Sequence, residues 1–315
     1  MNENQKGMTR SELLRGGLIG LTALAALPLA ASCAPKESEV ALAPEPEEHY
    51  EPAYTESGSF SPEFHICRGL GVSGDDIWVA GDMAVRRFSK GRKGETLDVP
   101  GAAQAVAATQ SGKLYATVED KVIDLSSGKP VAWESLGARA RLVEITATDK
   151  EVLVADAGNR CIHRFDHDGK LIGKLGEKDE SRNYPGLIVP SPYLGLALLA
   201  DGMVAVCNPG QHCIEYHDLK VGMMQRFGTV SQSMRDFCGC CNPMSIAVLP
   251  SGDLVTAEKG IPRVKTLDKH GNFKSVVAPP SSFDPKTTGL ELAILEDKIL
   301  VLDPWMGGVR TFIPA

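Results

Sequence analysis

One short pattern recurs six times along this chain, and it restricts the possible folds more than any other feature. Its clearest copy, residues 154–170, consists of a strand, a turn, a second strand and a second turn. Residues 156–159 suit a turn because glycine adopts positive φ freely and Asp or Asn side chains bond their own backbone. Residues 161–165 lie between two turns, and their length favours a strand over a helix. The pattern therefore predicts β-structure made of short strands.

The second strand of each copy is the easiest to recognise, because a turn containing Gly, Asp or Lys precedes it. The six second strands lie at residues 76–80, 113–117, 151–155, 202–206, 253–257 and 298–302. An isolated four-stranded blade cannot bury both of its faces, so neighbouring copies must stack in a ring. Six regular copies predict an all-β, six-bladed β-propeller and argue against a β-sandwich, which is the alternative. The last copy ends with three strands, so we expect residues 50–60 to add the missing outer strand.

Part of the third copy resembles a known repeat family. Residues 154–176 are similar to an NHL repeat, through the segments Ala-Asp-Ala-Gly-Asn-Arg and Arg-Phe-Asp-His-Asp-Gly. Residues 237–243 and 256–265 resemble segments of exported bacterial NHL-type lipoproteins. The resemblance covers about residues 65–315 and is strong only in the third copy. It implies the propeller fold but no particular activity, because NHL propellers serve both as binding platforms and as enzymes.

The first 32 residues are typical of a signal peptide. A basic start is followed by an uncharged apolar run at residues 16–31, which is too short to span a membrane comfortably. Small residues before Cys33 resemble the bacterial lipobox, although Ala30 stands where that motif usually has leucine. Cys33 is therefore the expected lipidation site, and an ordinary signal peptide with an incidental Cys33 is the alternative.

Two further features concern export and partners. Residues 9–15 resemble a twin-arginine motif with Ser11 in place of the second arginine, so the export route, Sec or Tat, stays open. Residues 33–57 have the composition of a disordered acidic linker, and residues 58–315 form the expected propeller. The net charge of −7 offers no basic surface for nucleic acid. We expect an exported lipoprotein that contacts the membrane through its anchor and faces the periplasm or the cell exterior.

The cysteines of the expected mature domain should share one face of the propeller. Strands alternate in direction from the channel outward, so loops between second and third strands lie on the same face as the connections between blades. Seven cysteines fall at or near that face, namely Cys67, Cys161, Cys207, Cys213, Cys238, Cys240 and Cys241.

Three interpretations of these cysteines are open. Some are small buried hydrophobic residues, which suits Cys161 best. Disulfides suit an exported protein, and Cys207 could bridge to Cys213 across its hairpin. An odd number of cysteines leaves at least one thiol outside any set of disulfides. The third interpretation is a thiolate-bound metal or an iron–sulfur cluster, although the spacing matches no established pattern. Its ligands would be Cys238, Cys240 and Cys241 with Cys207 or Cys213.

Other polar residues are expected near the channel mouth. A candidate ligand-binding set surrounds the mouth, and its indole ring would provide a surface on which a ligand could stack. The alternative is that these polar residues only keep the strand edges solvated. The members of this set are Asn242, Glu258, Lys259, Arg263 and Trp305. His212, next to Cys213, is a possible metal ligand.

These observations lead to three functional hypotheses. The first is a binding or scaffold module that holds a protein partner or small ligand on its cysteine-bearing face, without catalysis. The second is a redox or metal protein that uses the cysteines. The third is a metal-dependent hydrolase or lyase at the channel mouth. Propeller lactonases and amidating lyases hold a metal over the channel with carboxylate, Asn or His ligands, for which Glu144, Asn242 and Glu291 are the candidates here.

Overall fold

The chain forms six four-stranded antiparallel sheets arranged as the blades of a β-propeller. This computed structural model describes residues 50–239 and 241–315. The predicted signal peptide, the lipidation site Cys33, linker residues 33–49 and Cys240 lie outside those ranges. No helix within the described ranges is long and apolar enough to cross a membrane. The predicted all-β, six-bladed architecture is confirmed, and it is compatible with the NHL type.

The first three blades each use four consecutive strands. Blade one contains β2 to β5, at Cys67–Ser73, Asp76–Gly81, Ala84–Ser89 and Arg92–Asp98. Blade two contains β6 to β9, at Ala103–Ala108, Leu114–Val118, Lys121–Asp124 and Val131–Ala132. Blade three contains β10 to β13, at Leu142–Ala147, Val152–Asp156, Cys161–Phe165 and Leu171–Leu175.

The last three blades follow the same order, and the sixth closes the ring. Blade four contains β14 to β17, at Leu196–Leu198, Val204–Asn208, Cys213–Asp218 and Gly222–Phe227. Blade five contains β18 to β21, at Ser245–Val248, Leu254–Glu258, Arg263–Leu267 and Phe273–Ala278. Blade six contains β22 to β24, at Glu291–Leu295, Lys298–Asp303 and Gly308–Pro314, together with β1 at Tyr54–Phe60.

The ring closes through the pairing of the two ends of the propeller. Strand β1 runs antiparallel to β24, with Tyr54 opposite Pro314 and Phe60 opposite Val309. Arg310 Nη2 also donates to Glu56 Oε2 at 2.6 Å. The predicted outer strand is thus present at Tyr54–Phe60, and it begins within residues 33–57, the stretch expected to be a disordered linker. Without β1, the outer edge of β24 would expose a row of unpaired backbone groups.

The hydrophobic core is distributed between the blades. Six buried clusters occur, and each combines residues of two neighbouring blades. The cluster between blades six and one, for example, packs Leu300 and Val309 against Leu70 and Val79. Second strands are the most buried, and all five residues of β11 are inaccessible to solvent. This explains their near-continuous apolar sequences, since both of their faces contact a neighbouring sheet.

Asp156 organises the loop of the clearest repeat. Its carboxylate accepts the backbone N–H groups of Arg141, Gly158 and Asn159 at 2.9 to 3.0 Å. It also shares a hydrogen bond of 3.0 Å with His163 Nε2. Burial opposes its ionisation, but the hydrogen bonds prevail and lower the pKa of Asp156 to about 2. The turn residues that identified the repeat therefore have a structural role, tying β11 to β12.

Candidate functional site

Two glutamates face each other across the central channel. In every blade, one residue of the innermost strand occupies an equivalent position opposite the second strand. In blade three this residue is Glu144, which pairs with Ala155, and in blade six it is Glu291, which pairs with Leu302. The six equivalent positions are Gly69, Ala105, Glu144, Gly195, Ser245 and Glu291. Blades three and six are opposite one another in a ring of six. Because the other four residues are small, the two long carboxylate side chains can meet in the channel.

The close packing of the inner strands explains the two glycines of this set. A Cβ at Gly69 would lie 2.5 Å from the Cα of Ala105 in the next blade. A Cβ at Gly195 would lie 2.8 Å from the Cα of Ser245. Both distances are shorter than any real side chain tolerates, so glycine is required where neighbouring blades approach each other. The narrow waist of the channel depends on these contacts.

The two carboxyl groups are hydrogen-bonded to each other and fixed by their surroundings. Glu144 and Glu291 share a side-chain hydrogen bond. Glu291 Oε2 also accepts the hydroxyl of Ser245 at 3.0 Å, and that hydroxyl accepts the N–H of Leu292 at 3.2 Å. Glu144 Oε1 accepts the N–H of Ile145 at 2.9 Å. Each carboxyl group is therefore held by a hydrogen bond to, or leading to, a backbone N–H group, in addition to its hydrogen bond with the other glutamate.

Burial in the channel makes this pair hold a proton near neutral pH. It raises the pKa of Glu144 from its ordinary 4.5 to about 7. Burial also raises the pKa of Glu291 well above its ordinary value, and the charge of Glu144 adds to that effect. Two carboxyl groups in contact cannot both ionise cheaply, so they titrate as one system. At pH 7 Glu291 is protonated and can donate to Glu144, which is ionised in about half of the molecules.

A cavity of about 850 Å³ opens above the pair, on the face that carries the connections between blades. Its volume falls in the range typical of small-molecule sites. The two glutamates form part of its wall, and loop residues of several blades complete it, including Asp120, Tyr193, Thr288 and Pro304. The site is therefore a concave pocket with an acid–base pair as part of its wall.

A second, smaller cavity lies on the other side of the pair. It has a volume of about 200 Å³ and is lined by residues from all six innermost strands, including Gly71, Ala107 and Leu198. Glu144 borders both cavities. The carboxyl pair therefore occupies the boundary between the open mouth and the narrower lower channel.

Bulges in the first three blades direct additional side chains toward the mouth. The strand registers shift between Cys67 and Gly69, between Ala103 and Ala105, and between Leu142 and Glu144. A bulge leaves one residue unpaired and changes the direction of its side chain. The three extra residues, Arg68, Gln104 and Val143, all line the mouth cavity. Both glutamates are among the residues predicted from the sequence, whereas Arg68 and Gln104 are not. Both residues occupy the same position in their repeats, one residue before the residue that faces the channel. This shared position is the sequence feature that could have revealed them.

Asn242, predicted both as a ligand-binding residue and as a metal ligand, is buried away from the glutamates. Its Nδ2 donates to the carbonyl oxygens of Cys238 and Lys259 at 2.7 and 2.9 Å. Its Oδ1 accepts the N–H of Lys259 at 2.9 Å. Both ends of the amide are thus used to hold the connection into blade five, and Asn242 is not part of the mouth wall.

Glu258 and Arg263 belong to a buried ion cluster. Glu258 Oε1 lies 2.8 Å from Arg263 Nε and 2.9 Å from Lys265 Nζ. Arg263 also donates to the carbonyl oxygens of Ser233 and Asp236 at 2.9 and 2.8 Å. These three charged side chains are almost inaccessible to solvent and satisfy one another. Their arrangement anchors the loop before blade five.

The remaining two predicted ligand-binding residues lie near the mouth. Lys259 Nζ is 5.6 Å from the centre of the Tyr193 ring, and Tyr193 lines the cavity. Trp305 follows the lining residue Pro304 and is 52% exposed. The structure therefore divides the predicted set of five into two residues beside the mouth and three in the structural contacts that lead into blade five.

The disulfide expected between Cys207 and Cys213 is not formed. Cys207 pairs with Ile214, and Asn208 pairs with Cys213. Residues directly paired across antiparallel strands point to the same face of the sheet, and adjacent residues point to opposite faces. The two thiols therefore lie on opposite faces of blade four, a geometry that excludes a direct bridge.

The described thiols are buried, so the cysteine-bearing face does not present them to solvent. Burial raises the pKa of Cys161 and Cys213 to about 12, that of Cys238 to about 11, and that of Cys207 well above its ordinary value. In the metal-free protein these groups are protonated at neutral pH. His212 Nε2 contacts the carbonyl of Gly239 at 2.8 Å. Within the described ranges, no three His, Cys, Asp or Glu side chains are grouped so as to hold a metal ion.

Comparison with solved structures supports the fold. The chain is similar to a luciferin-regenerating enzyme, with a TM-score of 0.61 and 13% identity, over 84% of this chain and 95% of that one. For a gluconolactonase from Xanthomonas campestris the TM-score is 0.60 and the identity 13%, over 81% of this chain and 88% of that one. For virginiamycin B lyase from Staphylococcus aureus the TM-score is 0.59 and the identity 11%, over 82% of this chain and 99% of that one. No protein-family model and no curated protein matches the sequence.

Proposed function

We propose that this propeller is an acid–base enzyme, a hydrolase or lyase acting on a small molecule at the channel mouth. The observation that supports this proposal is the proton-sharing pair of Glu144 and Glu291 in the wall of the mouth cavity. A purely structural carboxyl pair has no need of an open cavity beside it. Perturbed carboxyl groups in a cleft are typical of functional sites.

The two glutamates have complementary roles in this proposal. Ionised Glu144 accepts a proton from a water molecule or from the substrate. Protonated Glu291 donates a proton to the oxygen that acquires negative charge. A base is most effective when its pKa lies near the working pH, and the pKa of Glu144 is about 7. The solved propellers of similar fold include a gluconolactonase and a virginiamycin B lyase, which makes both reaction classes reasonable.

The metal site expected from the sequence does not fit the arrangement of its three residues. Glu144 and Glu291 meet, but Asn242 is held by the backbone of Cys238 and Lys259. The proposal therefore relies on the carboxyl pair alone and includes no step through a metal.

The proposal is tested by comparing the wild-type protein with Glu144→Gln and Glu291→Gln. Suitable substrates are p-nitrophenyl acetate, δ-valerolactone and quinupristin, the last being the compound bound to a virginiamycin B lyase of similar fold. We expect each substitution to lower kcat/KM by about 100-fold or more, the usual contribution of general acid–base catalysis. Glu134→Gln is the matched control, because Glu134 is exposed and does not line the cavity. Equal rates in the wild type and both variants on all three substrates would contradict the proposal.

The cellular location is also proposed, on sequence grounds. The signal peptide and Cys33 would place the protein outside the cytoplasm on a lipid anchor, with the acidic linker as a tether. Replacing Cys33 with alanine should move the protein from the membrane fraction to the soluble fraction. Unchanged membrane retention would contradict the anchor.

A further inference from the structure

One nitrogen of the Arg68 guanidinium, Nη1, has no acceptor in the protein, although the backbone N–H of His65 and, to a smaller extent, the charge of Arg68 lower the pKa of Asp82. The side chain of Arg68 takes part in none of the hydrogen bonds or ion pairs formed by the described residues, and its Nη1 is shielded from solvent without a partner. A buried donor without an acceptor is destabilising, and more so when it is charged. Such groups are rare in folded proteins and generally indicate a missing ligand or water molecule.

The position of Arg68 links it to the mouth cavity. It is the extra residue of the bulge in β2, so its side chain leaves the regular alternation of that strand. It lines the same cavity as Glu144 and Glu291. A guanidinium remains charged at all physiological pH values and matches the two oxygens of a carboxylate. An anionic group is therefore the natural partner of Arg68.

The other charged residues of the cavity are already engaged or exposed. Arg141 Nη1 donates to the carbonyl oxygens of Ala138 and Ala140 at 3.3 and 2.6 Å. Asp120 accepts the hydroxyl of Ser135, and Glu119 is exposed at the edge of the cavity. Arg68 is thus the cation of this cavity whose side chain lacks a protein acceptor.

Apolar side chains are exposed beside Arg68, on the neighbouring edges of blades one and six. Ile66 lines the cavity and is 51% exposed. Pro304 lines it from blade six, and the next two residues, Trp305 and Met306, are 52% and 68% exposed. Large apolar side chains gathered beside a polar pocket are typical of a binding surface.

We propose that the channel mouth binds a small amphipathic anion, whose charged group pairs with Arg68 and whose apolar part lies against Ile66, Pro304 and Trp305. This inference specifies the ligand class of the proposed active site and rests on that proposal only for the choice of cavity. It does not depend on proton transfer by the glutamates.

The test measures binding of decanoate and of its neutral counterpart decanamide by isothermal titration calorimetry. We expect the wild-type protein to bind decanoate at least about 10-fold more tightly, the low end of a charge-assisted hydrogen bond. Arg68→Met should abolish this preference. Arg92→Met is the matched control, because it removes an exposed arginine from the outer strand β5. Affinity should also rise about fourfold for each methylene added between hexanoate and decanoate, as expected for a buried chain.

The outcomes separate this inference from the proposed function. Equal binding of decanoate and decanamide, or an unchanged preference in Arg68→Met, would overturn it. An affinity independent of chain length would overturn the apolar part. Glu291→Gln should retain the carboxylate preference even though it removes the proposed acid. If that variant and the wild type show the preference but neither has activity, the ligand class stands and the proposed enzyme function falls.

Discussion

The folding stability of this protein should decrease between pH 5 and pH 8 because of the proton shared by Glu144 and Glu291. In the unfolded chain a glutamate has an ordinary pKa near 4.5, and in the folded protein that of Glu144 is about 7. The folded state therefore binds more protons than the unfolded state in this window. Stability is fully present below about pH 4.5 and is lost as the pH rises through 7.

The size of this effect follows from the pKa of Glu144. Each tenfold change in proton affinity is worth about 1.4 kcal/mol. The rise from 4.5 to about 7 therefore corresponds to a loss of about 3 kcal/mol from this residue. Glu291 keeps its proton in the folded protein over this range but is ionised in the unfolded chain, so it adds a loss of about 1.4 kcal/mol for each pH unit above about 5.

The assay is urea denaturation of the wild type and of the double variant Glu144→Gln/Glu291→Gln at several pH values from 5 to 8. Two neutral amides can still share a hydrogen bond but cannot ionise. We expect the wild type to lose at least about 3 kcal/mol more than the variant across this range, because Glu144 and Glu291 both contribute. Glu134→Gln should follow the wild type. Parallel stability curves for the wild type and the double variant would refute the assignment of a shared, buried proton.

Three further predictions concern the fold and the cysteines. Glu258→Gln should destabilise the protein by about 3–5 kcal/mol in urea denaturation, because it leaves two buried cations without their counter-charge; an effect below 1 kcal/mol would contradict the buried cluster. Deleting residues 1–60 removes β1 and should lower the melting temperature and promote aggregation, whereas deleting residues 1–49 should not; equal behaviour of the two truncations would contradict closure by β1. Alkylation after denaturation without reductant should label both Cys207 and Cys213, and a peptide linked through these two residues in mass spectra would contradict the register of blade four.

The fold could be predicted because its signals are local. The apolar second strands and the turns before them recur in every copy, and a strand pattern of this kind needs only short-range information. The ring closure also followed from the sequence, because the last copy lacked a strand and residues 50–60 remained available. The number of blades is then the number of copies.

The candidate site was only partly predictable because it depends on contacts between distant blades. Each glutamate could be assigned to an innermost strand, but only the ring places blades three and six opposite each other. The bulge that redirects Arg68 shifts the register by one residue, which no spacing in the sequence reveals.

The Cys207–Cys213 bridge and the positions of two predicted ligand-binding residues depend on features that the sequence does not show. Cys207 and Cys213 border one hairpin, yet a register that pairs Cys207 with Ile214 sends the two thiols to opposite faces. Glu258 and Arg263 follow the loop pattern of a binding face, but the carbonyl oxygens of the preceding connection enclose them. Strand register and long-range burial decide these roles.

Infrared spectroscopy of the carboxyl groups tests the central claim most directly. A protonated carboxyl has a C=O stretching band separate from those of carboxylates and amides, and ¹³C-labelled glutamate assigns that band to glutamate side chains. At pH 7 we expect the wild type and Glu134→Gln to show a protonated glutamate band that is missing from the double variant Glu144→Gln/Glu291→Gln. A wild-type spectrum without a protonated glutamate at pH 7, or a band that persists unchanged in the double variant, would contradict the shared proton at the channel mouth.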